Sequence, residues 1–556
     1  MLYPKSNKYR DVYNLNGVWK YKIVDDNYIP GSPICDFDYA AVPASINEIT
    51  TDGMVKSHVG KFLFEREFSL PVRENTEYRL RIGAPSHQCE VYLNGVLIGK
   101  GINGYFPVDL SLDNLQENNR LSVVIDNRLT FATLPVGKIE NGKQIINHDF
   151  YNFTGIHRDV LVYTRPVKHI DDIEIKTVVG GDYRKVTAIV TGDTMDAVYT
   201  VFDGEGKVVS VTRDGNIILE VPKLWSPETP YLYTLCVETA TDKYEEPFGV
   251  RKVEVRGTQF LLNDKPIYFK GFGLHEDFFV LGKGASTAVN LRNFECMKWC
   301  NANSFRTSHY PYSEEIMDLA DRYGFMVIDE VPAVGMNWWD VNFAEDRVND
   351  TTLQLHKELI KQLYERDKNH PCVVMMCVGN EPGSNEKKGE EYFKEVFDYA
   401  RTVWNVPLTV VEVCGPEDTL TAKYSDVIFA NRYYGWYEDH GDIPAITDHM
   451  RWFLSKWWEL FQKPVVISEF GADTVEGIHA LPAESFSEDY QYECIKANCE
   501  AFDEYEHCIG EHVWNLADFK TKQGLTRVRG NRKGVFTKDR QPKLVARYFK
   551  ERWEKK

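Results

Sequence analysis

The chain has 556 residues, 43% of them apolar and 13% aromatic, which is too long for a single core and argues against disorder. Its net charge of −18 argues against non-specific nucleic-acid binding, and no run approaches the roughly 20 apolar residues of a membrane span. Residues Met1 to Asn16 lack the apolar stretch of a secretory signal, and eleven scattered cysteines show no framework spacing, so a reducing cytoplasm is expected.

The first third reads as strands. Cys89 to Leu93 and Val96 to Ile98 flank Asn94-Gly95, a dipeptide that tolerates the positive φ a tight hairpin needs at both turn positions. Similar alternation at Tyr78 to Ile82 and Leu121 to Ile125 predicts a β-sandwich of jelly-roll type over residues 1–166. A second alternating block, 167–255, has the size of an immunoglobulin-like sandwich. After about Arg256 the period changes. Eight short apolar runs, Ile267–Lys270, Ser304–Arg306, Phe325–Asp329, Val373–Val378, Leu408–Val413, Val427–Ala430, Val465–Ile467 and Glu511–Trp514, alternate mostly with helical patterns. That is the arithmetic of a (β/α)8 barrel over 256–556.

Barrel strands converge at their C-terminal ends, so the residues there are the candidates for chemistry. Glu381 follows the fourth run and Glu469 the seventh. Two carboxyls at one mouth suit glycoside hydrolysis, one protonated to release the leaving oxygen and one ionised to attack the anomeric carbon; a pair of helix-capping acids is the alternative. Arg306 ends the second run, where a guanidinium could keep a carboxylate charged or simply bridge to a helix. Asn380 could serve a sugar hydroxyl or the turn before Pro382. Trp514 could floor a pyranose site or fill the core, and the aromatic run Asn431 to Tyr437 is too dense to be all core. From Thr521 to Lys556 the chain carries 13 basic against 3 acidic residues, or +10, leaving −28 for the rest. Most of these are solvated surface charges, but Asn531-Arg532-Lys533 could grip an acidic substrate. No phosphate loop, His-Glu-x-x-His or Gly-x-Ser-x-Gly occurs, and His275, His309 and His370 lack metal spacing.

The motifs Asn380-Glu381-Pro382, Ser468 to Thr474, Thr307 to Pro311, Asn431 to Tyr437 and Gly530 to Gly534 resemble glycoside hydrolase family 2, and within it the β-glucuronidases. The similarity runs over essentially the whole chain. It implies a retaining exo-β-glucuronidase with Glu381 as general acid/base and Glu469 as nucleophile. Asn531 and Lys533 would hold the C6 carboxylate, helped by Tyr437 and Arg527. Asp149, His275 and Trp514 would contact the sugar and Tyr433 would stand beside the nucleophile, with Asn380 and Arg306 in the sugar-contacting and nucleophile-supporting roles their positions suggest. The resemblance implies no metal or cofactor, a small β-glucuronide as partner, and a dimeric or tetrameric homo-oligomer. A neutral hexoside would leave Lys533 unpaired at a cost of about 3–5 kcal/mol. The stretch holding Trp338-Trp339-Asp340 is short where some bacterial relatives carry a long insertion, which implies a more open mouth. A β-galacturonidase with the same clamp, and a non-catalytic carbohydrate-binding protein, are the competing readings.

Overall fold

The computed structural model describes residues 1–337 and 347–556. The expectation attached to Trp338-Trp339-Asp340 lies outside the described residues.

The first unit faces a six-stranded antiparallel sheet against a four-stranded one. The larger contains Gly17–Val24, Lys61–Ser69, Asn118–Asp126 and the hairpin Gln88–Leu93/Val96–Gly101. Asn94 and Gly95 take φ of 52° and 84°, the doubly left-handed turn that the dipeptide was expected to make. Between the sheets lie Trp19, Phe62, Leu80, Val91 and Val123, all buried. The next unit is a seven-stranded sandwich, with three strands (Ile170–Thr177, Lys185–Gly192, Asn216–Ile218) on one face and four between Val198 and Phe248 on the other. Trp225 anchors it to the barrel, donating from Nε1 to the Asp321 carbonyl at 2.9 Å.

Eight parallel strands close the barrel: β1 (Phe269–Gly273), β2 (Ser304–Arg306), β3 (Met326–Glu330), β4 (Val373–Asn380), β5 (Leu408–Glu412), β6 (Ile428–Asn431), β7 (Val465–Glu469) and β8 (Cys508–Val513). Strands β3 to β8 are buried at every residue, as expected for strands covered on both faces. Outside them lie α1 (Thr287–Trp299), α2 (Glu314–Tyr323), α3 (Asp350–Asp367), α4 (Lys387–Val403), α5 (Ile443–Phe461), α6 (Glu488–Phe502) and α7 (Leu544–Glu554). The helix starts are built from local chemistry. Asn349 and Thr352 form a reciprocal capping box on α3, and the Ser487 hydroxyl accepts from the Tyr490 N–H on α6.

Three expectations need correction. The eighth strand is Cys508–Val513, not Glu511–Trp514, which leaves Trp514 just beyond its end. The first barrel strand is Phe269–Gly273, not Ile267–Lys270, because Lys265–Ile267 pairs antiparallel with Gln259–Leu262 in a small sheet. The eight strand–helix units are also incomplete, since β5 is followed by a single 3-10 turn, Ala422–Tyr424.

Candidate active site

Every catalytic candidate sits at the strands' C-terminal ends. Arg306, the last residue of β2, has a fully buried guanidinium that serves four partners at once, one of them His309 Nδ1 at 3.2 Å from Nη1. Its Nη2 donates to Glu469 Oε1, while Nη1 donates to Glu330 Oε2 at 2.6 Å and to Asn380 Oδ1 at 3.3 Å. The second oxygen of Glu469 accepts from the Tyr433 hydroxyl at 2.6 Å. Burial pushes the Glu469 carboxyl upward, and the Arg306 charge and the Tyr433 hydrogen bond oppose it. With two donors aimed at its two oxygens, the ionised form is the one this site is built to hold.

Glu381 lies just beyond β4 with a left-handed backbone, φ +48°, which turns its side chain out of the strand direction. Its carboxyl accepts from Asn431 Nδ2 at 2.7 Å, and Asn431 is in turn oriented by the Ser468 hydroxyl at 2.8 Å. Burial and then the charge of Glu469 push it up to about 7. Burial thus raises both carboxyls, but their neighbours differ: a guanidinium and a phenol favour the ionised form of Glu469, and that charge favours the protonated form of Glu381, the division of labour that general-acid and nucleophile roles require.

Beside them is a cluster of charge. Lys533 is completely buried, and its Nζ donates to Asp473 Oδ2 at 2.5 Å and to the Tyr437 hydroxyl at 3.0 Å. Arg527 spans the gap between units. It pairs with Asp149 of the first sandwich at 2.9 Å and with Asp473 at 3.2 Å, and it also donates to the Tyr437 hydroxyl. Asn531 Nδ2 donates to Asp149 Oδ2 at 2.8 Å. The predicted set Asp149, Tyr437, Arg527, Asn531 and Lys533 is therefore one connected network. One expectation fails: a neutral sugar would not leave Lys533 unpaired, because Asp473 already neutralises it.

His275 and Trp514 flank this pocket. Trp514 is buried, stacks on His309 at 5.2 Å and meets His275 edge-on at 5.3 Å. The sequence reading passed over Glu330, Asp473 and Asn431 as individual site residues. Glu330 ends β3 after an apolar run, the same signal that marked Glu381 and Glu469, so it could have been found. Asp473 lies four residues past Glu469, and nothing local separates it from an ordinary loop acid.

Among the described residues, one group could offer three metal donors within 4.8 Å of one another: Asp321, His370 and Cys372. It lies at the strands' opposite end, before β4 begins, and the Asp321 carboxylate already accepts from His370 Nδ1 at 2.6 Å.

Three family models match. "Glycosyl hydrolases family 2, sugar binding domain" covers residues 37–166, "Glycosyl hydrolases family 2" covers 155–251, and "Glycosyl hydrolases family 2, TIM barrel domain" covers 253–556. A β-glucuronidase of Paenibacillus borealis is 39% identical over 586 residues, spanning 100% of this chain and 98% of the relative. Among solved structures, a β-glucuronidase of an uncultured Clostridium sp. superposes with a TM-score of 0.97 at 42% identity, covering 100% of both chains. The Bifidobacterium dentium β-glucuronidase complexed with coumarin-3-O-glucuronide superposes at 0.94 with 37% identity, covering 100% of this chain and 98% of its own.

Proposed function

Because this chain belongs to glycoside hydrolase family 2 and is a glycosidase, we propose that it is a retaining exo-β-glucuronidase. It would release glucuronate from β-D-glucuronides by double displacement. The observation that carries this reading is the split pair: Glu469 held by two donors, and Glu381 held near neutrality partly by the Glu469 charge.

In the first step Glu469 attacks the anomeric carbon, and Glu381 gives its proton to the departing glycosidic oxygen. A glucuronyl ester of Glu469 results. Forming that ester removes the negative charge that raised Glu381, so its carboxyl becomes more acidic as it must now act as a base. Glu381 then takes a proton from water, the water oxygen attacks the anomeric carbon, and the ester bond breaks to restore Glu469. Retention requires the two carboxyls to lie about 5–5.5 Å apart, against about 6.5–9.5 Å for inversion.

The acidic substrate is supported by the network of fully buried Lys533, half-buried Arg527 and exposed Tyr437, and by relatives named β-glucuronidase. With Asp473 inside the clamp, discrimination against neutral sugars is weaker than an orphaned ammonium would give. The test compares p-nitrophenyl β-glucuronide, β-galacturonide and β-glucoside on the wild type and Lys533→Ala. The wild type should favour the glucuronide, and the variant should lose at least about thirtyfold in kcat/KM on it while changing little on the glucoside. Equal losses on glucuronide and glucoside would remove the clamp assignment, and faster galacturonide turnover would reassign the substrate.

A further inference from the structure

The proposed chemistry leaves unused a buried lysine whose amine has no hydrogen-bond partner. Lys283, on the loop from β1 to α1, is 5% exposed, and its Nζ has no hydrogen-bond partner. It lies 3.1 Å from the ring centre of Tyr310, 4.1 Å from that of Tyr105 and 5.6 Å from that of Phe150. The loop is fixed to the first sandwich, with Lys283 N–H donating to Ser45 Oγ at 3.0 Å and Ala285 N–H to the His157 carbonyl at 2.7 Å. Burial pushes the Lys283 amine well below the usual lysine range, with Glu276 and Asp277 opposing and Arg158 adding to the shift, and the three aromatic faces favour its charged form.

The ring nearest the ammonium belongs to Tyr310, whose hydroxyl is 2.9 Å from His275 Nδ1. The other imidazole nitrogen of His275, Nε2, is buried without a protein partner. A cation on the face of a phenol draws electron density from the ring and strengthens its O–H as a donor. Donation to Nδ1 leaves the imidazole proton on Nε2. Burial, with His309, Lys283 and Arg306 nearby, keeps His275 neutral.

We infer that Lys283 is a positioning residue: through the Tyr310 hydroxyl it holds His275 as the tautomer whose Nε2–H donates to a sugar hydroxyl. The inference rests on the glycosidase reading of this pocket. Other ionisable groups facing Lys283 are Glu276, Asp277 and Arg158, with the imidazoles His87, His148 and His157 also close by.

A double-mutant cycle on the intact enzyme tests it, reading kcat/KM on p-nitrophenyl β-glucuronide. Lys283→Met should lose about tenfold or more, and Lys283→Arg should recover most of that. In a His275→Ala background the same Lys283→Met change should cost less than about twofold, because the group it acts through is gone. Tyr310→Phe, which keeps the ring and removes only the hydroxyl, should behave like Lys283→Met and serves if the methionine variant does not fold. Equal losses with and without His275, or wild-type kcat/KM in Lys283→Met, would overturn the inference alone. A wild type without glucuronide turnover would overturn the functional reading as well.

Discussion

Four glutamates, Glu330, Glu381, Glu412 and Glu469, end or directly follow apolar barrel strands, and their neighbours give them different roles. Glu330 is locked between Arg306 and His309, and Glu412 accepts from the Ser384 and Thr421 hydroxyls. Burial raises all four, and Glu381, with the charge of Glu469 adding to burial, is pushed up to about 7. As the proposed acid of the first step it must be protonated, so kcat/KM should fall as pH rises past about 7. Stability follows the same proton. Between the ordinary value of 4.5 and about 7, the folded protein keeps a proton that the unfolded chain has released, so this group's contribution is lost as pH rises through that window. Glu381→Gln cannot ionise, and it should therefore be more stable than the wild type above pH 7 by roughly 3 kcal/mol, with no gain below the ordinary carboxyl range. Thermal melts at acid and alkaline pH check this, and a variant with no alkaline gain would mean that Glu381 is not held up.

At the scale of elements, the barrel depends on abrupt helix endings. Helix α2 stops at Gly324, which takes φ +79° so that the chain can reverse into β3. A Cβ there would stand 2.6 Å from the Pro227 carbonyl oxygen of the second sandwich. Gly324→Ala combines left-handed strain with that collision and should cost about 2 kcal/mol, seen as a lower melting temperature with unchanged kcat in the folded fraction. A melting temperature equal to the wild type would show that the interface yields freely. The fifth crossover was harder to read. Its sequence allows one 3-10 turn and no more, yet β5 still pairs with β6 because strand register needs only a connection of sufficient reach.

The three units form one molecule, and the pocket is finished by the first of them. Asp149 comes from that sandwich, is 40% exposed, and links Arg527 to Asn531. Asp149→Ala should lower kcat/KM on glucuronides by about tenfold with little change in melting temperature, since the residue lies at the pocket rim. A large fall in melting temperature with normal kcat/KM would assign Asp149 to the interface instead. The −28 body and the +10 C-terminal stretch also make sense at this scale, because the clamp's cations are partnered internally and the pocket carries both signs of charge.

Periodicity and turn chemistry written into the chain determined two sandwiches and a barrel, because alternating and helical apolar spacing are local properties that survive in any context. The same local logic marked strand ends as places for carboxyls. Strand-end position alone could not rank them, since Glu330, Glu412, Glu381 and Glu469 share it; the motifs Asn380-Glu381-Pro382 and Ser468 to Thr474 singled out two of them only through resemblance. Nor could it give Lys533 its partner, because Asp473 reaches it from sixty residues away only after β7 and β8 close the barrel. Protonation, pairing and reach depend on distances between remote segments, and those exist only in the folded chain.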